Sequence, residues 1–240
     1  MSQLRLNPLT GRWVAVAVDR ENRPGDLVSR QLPVEADPAR PCPFCPGNEE
    51  ATPPALETYG KHGDWVVRMM PNRYPAFDGD EPLRVQNMGP VFTQAAASGI
   101  HEVLVFSPDH AAGWADLDDA VVCIFGAPLR MEDHARRPTI RYTHVIVNHG
   151  REAGASLEHP HGQLLGIPFV PGEIAEEEAG FRRFEGSCLL CTTLEAEEAA
   201  GHRLVYADDR VVVVCPFWSG TPYEMLVLPR QHAVQVMDAS

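Results

Sequence analysis

Apolar residues in this chain gather in short, β-branched runs rather than in long stripes of helical period. Trp13 to Val18, Trp65 to Met69, His101 to Phe106, Thr143 to Val147, Gln163 to Ile167, Val211 to Cys215 and Glu224 to Leu228 each have the length and composition of a strand. Helical patterning is confined to Asp116 to Arg136 and Glu173 to Phe184. The first of these is interrupted by Gly126-Ala127-Pro128, which predicts a kink or a split, because proline removes a helical hydrogen bond and crowds the preceding turn. Proline-rich loops over Pro33 to Pro46, Pro53-Pro54 and Pro71 to Pro82 separate the strands. A regular strand-helix alternation is missing, so the pattern predicts an antiparallel α+β fold rather than a doubly wound parallel sheet.

The order of these pieces repeats faintly. The first half runs from Cys42-x-x-Cys45 through a strand ending in Ser107-Pro108-Asp109-His110, then a helix and a strand, to His159-Pro160-His161. The second half runs from Cys188-x-x-Cys191 through two strands to Leu228-Pro229-Arg230-Gln231-His232. The expected organisation is a catalytic domain over 1–170, a linker over 171–187 and a related domain over 188–240. The second copy is expected to be incomplete, because it lacks the helix and strand that follow His110 in the first.

At 240 residues, with 44% hydrophobic and 22% charged positions, the chain has material for one or two domains and a sizeable core. A net charge of −13 argues against nucleic acid or an anionic membrane as partner, since both need a basic footprint. A small anion would have to be met by local arginines. The N-terminus lacks a basic segment followed by an apolar one, and no apolar run approaches the roughly 18 residues of a membrane span, so a cytoplasmic protein is expected. Six cysteines, four of them in two Cys-x-x-Cys pairs, suggest metal ligation in a reducing compartment more than a disulfide framework.

Zinc favours four ligands at tetrahedral corners, and Cys42, Cys45, His110 and His159 would supply two thiolates from a tight knuckle and two imidazoles from distant strand ends. The pair Cys42-x-x-Cys45 taken alone also fits a redox couple. The sharpest chemical signal is His159-Pro160-His161-Gly162-Gln163. In an extended chain the period of two puts His159, His161 and Gln163 on one face, with Pro160 and Gly162 turned away. Proline costs a ladder hydrogen bond inside a sheet, so the run belongs at an edge or at a strand start. A neutral imidazole at His161 can attack phosphorus through one ring nitrogen while the other donates to a carbonyl that fixes the tautomer. Upstream, Asn148-His149-Gly150-Arg151-Glu152-Ala153-Gly154-Ala155-Ser156 offers small residues, an amide and a hydroxyl, the makings of a loop around phosphate oxygens or of a plain turn.

Taken in order, Asn7-Pro8-Leu9-Thr10-Gly11-Arg12-Trp13-Val14, Arg20-x-x-Arg23-Pro24, Cys42-Pro43-Phe44-Cys45-x-Gly47-Asn48-Glu49, Pro71-Asn72-Arg73-Tyr74-Pro75-Ala76, Ser107-Pro108-Asp109-His110 and Gly154-Ala155-Ser156-x-x-His159-Pro160-His161-Gly162-Gln163 resemble the galactose-1-phosphate uridylyltransferases of the histidine-triad superfamily. The resemblance spans about Asn7 to His232. It implies a duplicated, histidine-triad-like antiparallel sheet with helices, zinc on Cys42, Cys45, His110 and His159, and His161 as nucleophile. It further implies that Gln163 holds the phosphoryl oxygens, with Asn148 and Ser156 beside it, and that Arg20, Arg23, Phe44 and Asn72 contact nucleotide and phosphate. Cys188, Cys191 and His232 resemble three ligands of a second zinc present in some relatives, with a fourth expected beyond Ser240.

The activity so implied is a ping-pong exchange. UDP-glucose leaves UMP on the histidine, and galactose 1-phosphate collects it as UDP-galactose, in an enzyme expected to be a homodimer when full length. A related plant branch works on adenylyl sugars and phosphate, and a nucleotide- and zinc-binding module without turnover is the alternative of another class. Zinc and iron are both compatible with the ligand set. His101, which opens a strand beside Glu102, reads as structural, and the acidic run Glu176-Glu177-Glu178 as a solvated helix face.

Overall fold

The structure, a computed structural model, describes residues 3–16, 41–61, 64–113, 117, 130–150, 153, 155 and 157–233. In chain order the strands are β1 (Gln3–Leu6), β2 (Trp13–Val16), β3 (Glu57–Lys61), β4 (Asp64–Pro71), β5 (Gln86–Asn87), β6 (Thr93–Gln94), β7 (Ile100–Val105), β8 (Tyr142–Ile146), β9 (His161–Ile167), β10 (Leu204–Ala207), β11 (Val211–Val214) and β12 (Leu226–Pro229). Helices α1 (Gly172–Arg183) and α2 (Leu189–Ala200) lie between β9 and β10, and residues 130–135 are helical. Every strand pairing among the described residues is antiparallel, as expected for an α+β fold. Two units separate, residues 33–170 and residues 1–32 with 171–240. The stretch 171–187, expected as a linker, contains α1. Its Glu and Ala residues are good helix formers, and Arg182 and Arg183 suit the negative end of the helix dipole.

In the unit 33–170 a five-stranded sheet runs in the order β3-β4-β7-β9-β8. The register sets Val105 opposite His161, Val103 opposite Gln163 and Met70 opposite Val103, so alternation sorts the side chains into two faces. One face carries Val67, Met69, Leu104 and Leu164, which pack with Phe106 and with Met131 of the helical stretch. The other carries Met70, Val103 and Val105 beneath Phe44 and Trp65. Truncating a fully buried residue of the first face such as Leu164 would cost about 2–5 kcal/mol. Glycine is required within β9 by close approach. A Cβ at Gly162 would stand 2.6 Å from the Phe106 ring, and one at Gly166 would stand 3.0 Å from His134 Nδ1.

Behind that first face, Glu102 is almost fully buried and is held by Arg130, whose Nε donates to Oε2 at 3.0 Å, with His134 Nε2 at 3.4 Å. Burial pushes the Glu102 carboxyl up, but the hydrogen bonds from His134 and Arg130 outweigh it and leave the group below the usual carboxylate range.

The other unit has its own core. Leu190 and Leu194 of α2 pack on Val212, Val214, Leu226 and Leu228 of the sheet β10-β11-β12. Leu9 joins Leu189 and Trp218 in a second cluster. The turn between β1 and β2 is tied by Asn7, whose side-chain oxygen accepts from the Leu9 and Thr10 N–H groups, and it closes at Gly11 with φ +76°. Gly180 of α1 lets that turn approach, since a Cβ there would lie 1.8 Å from the Leu9 carbonyl oxygen.

Candidate functional site

The loop carrying Cys42-Pro43-Phe44-Cys45 folds into a knuckle by its own backbone. Cys45 N–H donates to Cys42 O at 3.3 Å, Asn48 N–H to Cys45 O at 3.1 Å, and the Asn48 side chain to Cys42 O at 2.8 Å, while Gly47 takes φ +87°. His110 arrives on a second turn, in which Asp109 N–H donates to Ser107 Oγ and Ala111 N–H to Asp109 Oδ1. His159 lies two residues before β9 begins, and Phe106 N–H donates to the Pro160 carbonyl at 3.0 Å. The proline therefore stands just ahead of the strand, where no ladder bond is lost.

These elements bring the donor atoms of Cys42, Cys45, His110 and His159 within 4.8 Å of one another, a cluster that could hold a metal ion. Cys45 Sγ is 3.4 Å from His110 Nδ1 and 3.7 Å from His159 Nδ1, and Cys42 Sγ is 3.8 Å from the latter. Tetrahedral coordination with the usual Zn–S and Zn–N bond lengths separates sulfur from nitrogen by about 3.5 Å, so the donor set fits such an ion. His159 is fully buried, and its Nε2–H donates to Ser107 O at 2.7 Å, which turns the lone pair of Nδ1 toward the sulfurs. Burial holds the His159 imidazolium below its ordinary pKa, keeping the ring a neutral ligand. Burial, and after it the adjacent Cys42 sulfur, pushes the Cys45 thiol up, so a second thiolate forms best against a cation.

One strand step on, His161 opens β9 with Nδ1 2.7 Å from its neighbour's carbonyl, His159 O. Nδ1–H must be the donor there, which leaves Nε2 as the ring nitrogen with a free lone pair. The ring lines a cavity of about 530 Å³ together with Phe44, Asn72, Leu157 and Gln163. Phe44 contacts both histidines, its ring centroid 6.0 Å from that of His159 and 5.3 Å from that of His161. Asn72 is oriented by Tyr74 N–H donating to Oδ1 at 2.9 Å, and Gln163 Oε1 lies 2.7 Å from His101 Nε2. Asn148 lines a narrow cleft with His159, Pro160 and His161.

Of the residues singled out by sequence, the unit 33–170 thus sets Phe44, Asn72, His161 and Gln163 on one cavity, Asn148 on a cleft that shares His161 with it, and Cys42, Cys45, His110 and His159 in the four-donor cluster, while Arg20, Arg23 and Ser156 lie outside the described residues. In the other unit Cys188, Cys191 and His232 form a three-donor cluster, with Cys191 Sγ 3.4 Å from His232 Nδ1. Sequence reasoning assigned nothing to Thr52, Arg73, Tyr74 or Leu157, which also line the large cavity. Arg73 and Tyr74 follow Asn72 directly in a block already marked by resemblance, and that adjacency was the available signal.

Residues 1–171 match the family described as Galactose-1-phosphate uridyl transferase, N-terminal domain. The chain is 30% identical to the ADP-glucose phosphorylase of Arabidopsis thaliana, aligning over 96% of its own length and 66% of the relative's. It is also 30% identical to the galactose-1-phosphate uridylyltransferase of Thermotoga maritima, over 100% of its length and 70% of the relative's. Among solved structures, the Arabidopsis ADP-glucose phosphorylase with bound ADP-glucose superposes with a TM-score of 0.79 at 26% identity, covering 98% of this chain and 70% of that one. A uridylyltransferase superposes at 0.64 with 26% identity, covering 100% and 69%. The chain spans about two thirds of the length of these relatives.

Proposed function

The chain belongs to the galactose-1-phosphate uridyl transferase family, and from that premise we propose that it moves a nucleotidyl group between sugar phosphates by way of His161. In the first half-reaction Nε2 of His161 attacks the α-phosphorus of UDP-glucose, a P–N bond forms, the P–O bond to the β-phosphate breaks and glucose 1-phosphate leaves. In the second, a phosphate oxygen of galactose 1-phosphate attacks the same phosphorus, the P–N bond breaks and UDP-galactose departs, with Nε2 restored as a lone pair. The observation that carries this reading is the His161 ring lining the large cavity with Nδ1 bonded to His159 O, an arrangement that frees Nε2 for attack.

The neutral chain atoms around the site bind and orient. Gln163 and Asn72 offer amide hydrogens to the phosphoryl oxygens, Asn148 offers a further amide at the cleft beside His161, and Phe44 packs against the nucleophile's ring. Arg20, Arg23 and Ser156 are proposed as further contacts to phosphate. Zinc on Cys42, Cys45, His110 and His159 supplies a structural cross-link that fixes the His159 main chain on which His161 leans. Cys188, Cys191 and His232 are proposed as part of a second site, for zinc or iron. The protein is proposed to be cytoplasmic and to act as a homodimer, without nucleic acid or membrane as partner; no helix among the described residues is long and apolar enough to cross a membrane.

A second reading is favoured by the likeness to ADP-glucose phosphorylase in both sequence and structure. In that case His161 takes AMP from an adenylyl sugar and inorganic phosphate accepts it as ADP. Incubation with α-³²P-labelled UDP-glucose or ADP-glucose separates the readings: an acid-labile label on the protein from one of them names the nucleotide. His161→Ala should abolish labelling and exchange with metal content intact, and exchange equal to that of the parent would sink the assignment. Saturable binding without any label would identify a binding module instead.

A further inference from the structure

Resting on the nucleotidyl-transfer reading, we propose that His101 is a positioning residue that locks the Gln163 side-chain amide with its NH₂ group toward the phosphoryl oxygens. His101 is on β7 and Gln163 on β9. Gln163 pairs directly with Val103, so His101 is its diagonal neighbour on the same sheet face, within reach of a long side chain. The ring is held at both nitrogens and the residue's main chain at a third point. Ala76 N–H donates to Nδ1 at 2.9 Å, Nε2 lies 2.7 Å from Gln163 Oε1, and the His101 carbonyl accepts from Asn72 N–H at 2.8 Å.

The tautomer follows from the one donor that cannot rotate. The Ala76 N–H is backbone, so Nδ1 must be the bare nitrogen and Nε2 must carry the hydrogen. Nε2–H then donates to Gln163 Oε1, which ties the carbonyl end of the amide back to the ring. The two hydrogens on the other end of the amide are left for the cavity that Gln163 and His161 share. Turning the amide over would set NH₂ against Nε2–H and aim a carbonyl dipole at an anionic phosphoryl group, an unfavourable exchange at both ends. Asn72 Nδ2 lies 3.0 Å from the same His101 nitrogen. Tyr74 N–H holds Asn72 Oδ1, so both groups in that approach are donors; they meet without a hydrogen bond, and the Asn72 hydrogens are left for acceptors in the cavity.

A double-mutant cycle tests this. Nucleotide exchange and the yield of covalent intermediate after rapid quench are measured for the parent, His101→Ala, Gln163→Ala and the double variant, with melting temperature and metal content followed alongside. Each single variant should lose at least about tenfold in kcat with KM little changed, and the double variant should fall no more than about threefold below Gln163→Ala. His101→Gln keeps a donor, should recover part of the loss, and replaces His101→Ala in the cycle if that variant melts early. Parent-like exchange in His101→Ala, or losses that multiply in the double variant, would overturn the proposal. The ¹⁵N shifts of the His101 ring in the parent keep the two readings apart. A parent with Nε2–H that labels with neither nucleotide sugar has lost the transfer reading and this inference with it, whereas a parent that turns over with Nδ1–H refutes the positioning alone.

Discussion

Cys42 with Cys45 and Cys188 with Cys191 share one spacing and meet different surroundings. The first pair sits in an irregular knuckle and is completed by two histidines, one of them fully buried, into a set of four donors. The second pair caps and enters the first turn of α2, Cys188 as N-cap and Cys191 within it, and meets the exposed His232, three donors among the described residues. Only the first lies one strand step from a histidine whose ring lines a large cavity. The spacing therefore foretells a metal-binding shape, whereas the side chains that alternate with the ligands decide whether chemistry can be built beside it.

Substitutions in the two clusters should separate them, and the largest effect belongs to the first. His159→Ala or Cys42→Ser should lower metal content by one equivalent, lower the melting temperature and reduce nucleotide exchange at least about 100-fold, because the carbonyl that orients His161 is freed with the ligand. Next in size is Glu102→Gln, which leaves Arg130 buried against a weaker partner and should cost about 3 kcal/mol in unfolding free energy by calorimetry. The Glu102 pKa lies below its ordinary value, so the stability it confers is present at neutral pH and is lost as pH falls through that lowered value. The parent should thus show a steep acid transition below the usual carboxylate range that is shallower in Glu102→Gln.

Cys191→Ser or His232→Ala should change exchange less than about threefold, and a chelator should draw metal from that cluster, which ends on the exposed His232, faster than from the one anchored by the buried His159, as metal release over time would show. Equal losses at the two clusters would erase the distinction. Smallest of all, Arg182→Ala breaks an exposed pair with Glu178 on α1 and should shift stability by no more than about 0.5 kcal/mol.

Much of this was legible in the chain. Buried β-branched runs such as Trp65 to Met69 and His101 to Phe106 became β4 and β7, because strands at the centre of a sheet must be apolar on both faces. The alternation of His161 and Gln163 is kept in β9, with Gly162 pressed on Phe106 as a residue without bulk has to be. Helix α2 was missed. The signal at Leu189, Leu190, Thr193, Leu194 and Glu197 has helical spacing, but it begins inside a Cys-x-x-Cys pair whose counterpart in the first half leads only into a short 3-10 turn over Glu49–Ala51. Strand β10, with every residue exposed, carries no alternation that could betray it. The sequence left His101 as a structural residue, since nothing local shows that its partner Gln163 stands 62 positions away.

The account turns on His159 serving the metal while His161 serves phosphorus, and the most direct measurement is the site of nucleotide attachment. After a single-turnover reaction with the labelling nucleotide sugar, ³¹P NMR and peptide mapping of the quenched protein should find a phosphoramidate on Nε2 of His161, with His159 unmodified and the metal retained. Nucleotide bonded to His159, to Nδ1 of His161 or to another side chain would contradict it.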